Sequence, residues 1–297
     1  MAEVARRLPR AVATPVAPRR RSVLARLLSN QRVVAGSVVL LVTLAVAVFA
    51  DVLAPADPNG QILADRLAAP SMSHPFGEDQ LGRDVLSRVI YGSRVSLGVG
   101  FSSVVITIVI GTIVGVAAGF FGKWTDNVLM RLVDVFISIP VFMLLLTVVA
   151  IYGSSLWLLI AFIGISAFPG AARIVRAEVL SLMPRDFILA ARVVGASPVR
   201  IMTRHLVPNL MPVIIVSATL RVGAAILTEA GLSYFGLGVP PPAPTWGGMV
   251  ADGRTFLDVA WWVSTFPGLA LLVVVIATNL VGDGLRDVFD PRRAHLA

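Results

Sequence analysis

The chain has no cysteine, a single lysine (Lys123) and only three histidines, His74, His205 and His295. The first absence excludes a disulfide framework, a thiolate metal site and a cysteine nucleophile. Three histidines so far apart argue against an imidazole-based metal or acid–base centre. Trp124 follows the lysine, so the Gly-x4-Gly-Lys-Ser/Thr spacing of a phosphate-binding loop is missing as well. Charge is scarce: 14% of the 297 residues are charged, whereas a soluble domain carries about 25%. With 57% hydrophobic residues and a mean hydropathy of +0.86, the chain has too little polar surface to meet water on all sides. Lipid must solvate much of it.

Apolar runs are what the sequence has instead. About 20 such residues cross roughly 30 Å of hydrocarbon, and six runs qualify: 33–54, 95–121, 128–151, 154–173, 208–228 and 261–281. Val48-Phe49-Ala50 loosely resembles a signal-peptide cleavage site, but the preceding apolar run of about 18 residues exceeds a signal's usual length, which favours an uncleaved anchor. A tight turn around Tyr152-Gly153-Ser154-Ser155 separates the third and fourth spans.

The net charge of +8 and pI of about 11.2 would suggest nucleic acid in a soluble protein. Here the basic residues are sorted by loop. Eight arginines against one acid occupy 1–32, six arginines occupy 171–207, and the tail adds Arg286, Arg292 and Arg293. Six spans place these regions on one side, and the positive-inside rule makes that side, with both termini, cytoplasmic. Trp124, Trp157, Trp261, Trp262, Tyr91 and Tyr152 fall at span ends, where amphipathic rings sit. Gly111, Gly115 and Gly119 recur every four residues, a spacing that stacks them on one helix face as a packing seam.

The 171–207 loop carries the most information. Pro184-Arg185-Asp186 reads as a helix start with proline in the first position, and Gly195 as its end. Ser197-Pro198 reads as the cap and first-turn proline of a second short helix, with Pro208 and Pro212 marking entry to the fifth span. Such a helix–turn–helix either lies on anionic lipid through its arginines or is a rigid knob for a cytoplasmic protein.

Ala190-Ala191, Gly195 and His205-Leu206-Val207-Pro208 resemble the EAA motif of ABC-importer permeases, EAA-x3-G-x9-I-x-L-P, with Leu189 at the glutamate position. Residues 74–97, 130–140, 231–248 and 279–292 resemble the dipeptide/oligopeptide/nickel permeases, C-type subunit, so the likeness covers roughly 74–293. The resemblance implies an all-α integral membrane protein with six transmembrane helices and the type I ABC-importer permease fold. Charge and apolar runs divide the rest into a basic arm 1–32, a first span 33–54 and an external segment 55–94; the resemblance implies a core permease domain 95–285 with a coupling loop 174–207, and a tail 286–297.

By the same resemblance the chain is no enzyme. It is half of a translocation pathway for di- or oligopeptides in the bacterial plasma membrane, paired with a second permease, two cytoplasmic ATPases that hold ATP and Mg, and an external binding protein. It binds no cofactor, metal or nucleic acid itself. Ala190, Ala191, Gly195, Ala196, Ser197, Pro198, His205 and Pro208 are the coupling residues implied. Nickel chelates, glutathione or another small solute are alternative cargoes. A proton-coupled carrier is the alternative from another class, but it should show two similar halves or acids at mid-membrane, and neither is seen.

Charged residues inside spans are pathway candidates, since an arginine at the bilayer centre costs about 2.5–3.5 kcal/mol on insertion scales. Arg221 should face the bundle interior or a wet cavity, and its expected partner is a neighbouring helix or a peptide carboxylate. Arg131 and Asp134, three apart, are expected to pair locally, and Glu229 to serve the pathway or to be a solvated rim charge. His74, Glu78 and Asp79 tempt a metal reading, but Pro75 and Gly77 favour a structural loop.

Overall fold

The computed structural model describes residues 23–289. The expected arm and tail therefore fall largely outside the described residues. Five helices are long and apolar enough to cross a membrane, and a bent pair makes a sixth crossing.

In chain order, α1 (Val23–Ser29) leads into α2 (Gln31–Val48), the first span, whose first turn is capped by Asn30. A one-turn helix, α3 (Ala50–Leu53), and an irregular external segment follow. Asp84 then caps α4 (Val85–Phe121), its Oδ2 accepting from the Ser87 amide at 2.7 Å. The third crossing is not the single helix expected over 128–151. It consists of α5 (Lys123–Ser138) and α6 (Val141–Tyr152), bent by 80° at Ile139-Pro140. Proline disfavours helical backbone in the residue before it, and Ile139 is accordingly extended (ψ 125°). The fourth crossing, α7 (Leu156–Leu182), runs nine residues past the expected 173. It ends in two short helices, α8 (Asp186–Val193) and α9 (Pro198–Ile201). The fifth, α10 (Val207–Tyr234), is followed by external α11 (Trp246–Gly253), and the sixth is α12 (Trp262–Phe289).

The α4–α7 pair is the spine. A Cβ on Gly111 would lie 2.5 Å from the Ala171 Cβ, one on Gly115 2.6 Å from the Ala172 carbonyl oxygen, and one on Gly119 2.7 Å from Val179 Cγ1. Backbones that close leave no room for a side chain, and dispersion replaces the hydrophobic drive that lipid abolishes. Hydroxyls complete the seam: Ser103 donates to the Ile160 carbonyl at 3.1 Å and Thr107 to the Gly164 carbonyl at 2.8 Å. Around this spine α10 packs on α4, α7 and α12, and α2 packs on α12. Arg26 donates to the Val288 carbonyl and tethers α1 to the end of α12.

Trp124, Trp157 and Tyr152 are about three-quarters exposed, as interfacial rings are. Trp262 is not one of them. It is buried, and its indole N–H donates to the Glu78 carbonyl at 3.1 Å, pinning the external segment to α12.

Gly115→Ala is expected to destabilise the detergent-solubilised protein by about 1–3 kcal/mol through overpacking. Gly98→Ala, where an added Cβ meets nothing within 4 Å, should leave the melting temperature unchanged or slightly raised. Thermal unfolding of the pair checks the seam.

Candidate functional site

Beyond the end of α7, α8 and α9 form a compact knob. Arg185 occupies the cap position of α8 and Asp186 its first turn, favourable to the helix dipole. Pro184 thus precedes the helix rather than opening it. The helix ends in a Schellman turn: the Gly195 amide donates to the Arg192 carbonyl and the Ala196 amide to the Ala191 carbonyl, both at 3.0 Å. That turn requires a left-handed residue, and Gly195 has φ +81°. Ser197 Oγ then accepts from the Arg200 amide at 3.4 Å, with Pro198 at the first helical position.

The chain does not pause before the fifth span. It passes from α9 into α10 through a π-helical turn, Met202–Leu206, which gives a continuous 37-residue run from Pro198 to Tyr234. Pro208 has no N–H and its ring crowds the carbonyl four residues back, and a wider turn relieves that crowding. Asn209 Nδ2 donates to the His205 carbonyl at 2.7 Å beside it.

Ile188, Ile201, Leu206 and Leu210 are at most 2% exposed and pack against Val175, Val179 and Leu182 of α7. Each buried side chain of this size contributes about 1.5–3 kcal/mol, enough to make the knob one piece with α7. Arg192 lies 5.7 Å from the centroid of the Phe120 ring, adding a contact to the end of α4. The outward surface is apolar for an exposed turn: Val193 and Val194 are 87% and 86% exposed, and Leu189 and Val199 are exposed as well. Four exposed arginines, Arg185, Arg192, Arg200 and Arg204, surround them. The 27-residue α7 is about 40 Å long, some 10 Å more than the hydrocarbon is thick.

The intramembrane charges are placed otherwise than local spacing suggests. Asp134 does not pair with Arg131; its Oδ1 accepts from Arg173 of α7 at 2.6 Å. One turn nearer the cytoplasm Arg176 pairs with Asp126. Arg221 donates to the Ala167 carbonyl of α7 and to Ser217 Oγ, both at 3.2 Å, and Gly170 leaves the space it occupies. Glu229 is no rim charge: it is fully buried at the outer end of α10, with Oε1 accepting from Ser233 at 2.7 Å and Oε2 without a partner.

Outside the spans His74 stands between carboxylates, with Nδ1 2.9 Å from Asp84 Oδ1 and Nε2 3.7 Å from Glu78 Oε1. Asp79 instead faces the arginines, 2.6 Å from Arg83 and 3.5 Å from Arg88. His74, Glu78 and Asp79 are thus not gathered around one point; the histidine serves as a clasp between Glu78 and the cap of α4. The hydrogen bond to Asp84 raises the His74 pKa above its ordinary 6.5. Burial raises that of Glu78. Beside the clasp, an external cavity of about 300 Å³ is lined by Arg83, Arg88, Asp252 and the Pro240–Pro242 turn.

Residues 111–295 match the family described as binding-protein-dependent transport system inner membrane component. Residues 19–70 match the N-terminal transmembrane domain of oligopeptide transport permease C, a likeness the sequence reading did not extend to. A putative peptide transport system permease of Brucella abortus is 40% identical over 267 residues, 90% of each chain. The dipeptide transport system permease DppC of Alkalihalophilus pseudofirmus is 39% identical over 90% of this chain and 88% of its own. Di/tripeptide DppC of Pseudomonas aeruginosa is 40% identical over 90% of both. Among solved structures, an inward-facing MetNI methionine ABC transporter chain superposes with a TM-score of 0.56 at 23% identity, covering 68% of this chain and 97% of that one. That likeness carries the permease fold.

The clasp predicts a pH dependence. Both pKa values are raised by folding: the His74 contribution is complete below pH 6.5 and is lost as pH climbs through its raised value, whereas that of Glu78 is complete only below pH 4.5. Hydrogen exchange of residues 62–84, corrected for intrinsic chemistry, should therefore accelerate as pH rises above 6.5 in the wild-type protein. In His74→Gln the rates, corrected for intrinsic chemistry, should change far less with pH.

Proposed function

Because the chain belongs to the family of binding-protein-dependent transport system inner membrane components, we propose that it is one permease subunit of an ATP-driven peptide importer. It works beside a second, related permease, two cytoplasmic ATPases and an external binding protein. ATP and Mg belong to the ATPases, and this chain supplies a pathway and a lever. The relatives' names support peptides as cargo, and the arginine distribution supports cytoplasmic termini in a plasma membrane.

The observation that carries this reading is the knob. Its exposed Val193 and Val194 sit on a glycine turn at the end of α7. The length of α7 sets them beyond the hydrocarbon, where a protein groove covers them better than lipid does. Ala190, small and exposed, allows close approach, while Ala191, Ala196, Ser197, Pro198, His205 and Pro208 shape the turns behind it. A push on the tip travels through Ile188 and Leu206 into α7 and α10, and so into both helices that hold Arg221. ATPase closure and reopening would thereby rock the bundle between its two openings.

Two substitutions separate docking from coupling. An added Cβ at Gly195 meets nothing within 4 Å, so the cost of Gly195→Val is backbone strain of about 1–2 kcal/mol. The reconstituted variant should insert and bind its ATPases but take up less peptide per ATP hydrolysed, while Gly195→Asn, which tolerates the left-handed turn, should keep most of the coupling. Val193→Asp should leave the melting temperature unchanged and weaken co-purification of the ATPases by about tenfold. Normal uptake per ATP by Gly195→Val would remove the turn from the mechanism.

A further inference from the structure

Helix α5 differs from the other spanning helices in carrying a polar stripe through its whole length. Lys123, Asn127, Arg131, Asp134 and Ser138 are four, four, three and four residues apart, and all are exposed. At 3.6 residues per turn that spacing confines them to an arc of about 80° over roughly 22 Å. Val128, Leu132 and Phe136, exposed on another sector of the same helix, make an apolar face. Val133, on a third, is buried against Phe168 and Ala172 of α7.

Arg173 of α7 joins the stripe through Asp134, and this ion pair is 51% and 56% exposed. Facing lipid, Arg131 and Asp134 would each cost about 2.5–3.5 kcal/mol. The stripe also ends where the backbone breaks at Ile139-Pro140. Non-helical backbone at membrane depth is tolerated only inside protein or beside water, and Ile139 is 39% exposed. Charge and backbone thus ask for water along the same line.

We propose that this face of α5, with Arg173, is one wall of a water-filled lane that passes zwitterionic solutes. The inference rests on the importer reading and adds where the solute travels. Lys123, Arg131 and Arg173 offer donors to a carboxylate, Asp134 accepts an ammonium group, and Asn127 and Ser138 continue the hydrogen bonding. A peptide with both termini free presents those two charges. Arg221 is held against the Ala167 carbonyl of α7 and Ser217 instead.

The absence of cysteine makes the test clean. Single cysteines are placed at Asn127, Arg131 and Ser138 and, at matching depth, at Val128, Leu132 and Phe136. The assembled importer, in membrane vesicles, is treated with a membrane-impermeant cationic methanethiosulfonate, and modification of this chain is followed by mass. Thiolates form in water and not in hydrocarbon, so the stripe positions should react at least about tenfold faster than their neighbours. Equal rates within the pairs, uniformly slow or uniformly fast, in complexes that still hydrolyse ATP would overturn the lane. ATP-driven peptide uptake by unmodified vesicles tests the importer reading separately: its absence beside a labelling contrast leaves the lane standing, and its presence without the contrast does the opposite.

Discussion

Everything in the bundle depends on how closely α4 and α7 approach. In lipid, apolar side chains gain little by leaving the solvent for a protein interior, so association rests on dispersion at short range and on hydrogen bonds between helices. Gly111, Gly115 and Gly119 supply the first, and Ser103 and Thr107 the second. This contact sets the axis of α7. The cytoplasmic knob, the arginine pairs to α5 and the carbonyl that receives Arg221 all hang on that axis.

A lever must be stiff at its tip and hinged elsewhere. The knob meets the first requirement through two turns fixed by capping, one at Gly195 and one at Ser197-Pro198, over a dry core of isoleucine and leucine. The helical ladder is weakened elsewhere: at the π-helical turn before Pro208, at Pro169 in α7 and at the break before Pro140. At the opposite end buried polar groups add to an apolar cluster in which Phe76 stacks on Phe266. Arg83, Asp79, Glu78 and the Trp262 indole hold the segment before α4 to the start of α12.

What was legible in the sequence followed how local its cause was. Gly195 and Ser197-Pro198 act on their own backbone within a few residues, so spacing alone announces the knob. The glycine repeat is local in the same sense, although its partner helix is not. Pro140 was equally visible, yet averaging hydropathy over a span hides a break that hydrogen bonding makes plain. Asp134 found Arg173 rather than Arg131, and Trp262 left the interface for the Glu78 carbonyl, because each partner lies far along the chain; Glu229 sank beneath Ser233, four residues on, because the surrounding helices bury that end of α10. Arg131 and Asp134 were read as a pair of charges. With Lys123, Asn127 and Ser138 they form a face, which only the helix bounds of α5 reveal.

The proposed importer requires that an ATPase, and not lipid, cover the apolar tip of the knob. A photo-reactive benzophenone attached at Val194→Cys, in the otherwise cysteine-free chain, reports directly what lies against it in the native membrane. The account predicts an adduct with the ATPase subunit whose yield changes when ATP is added. Adducts with phospholipid alone, unchanged by ATP, would contradict it.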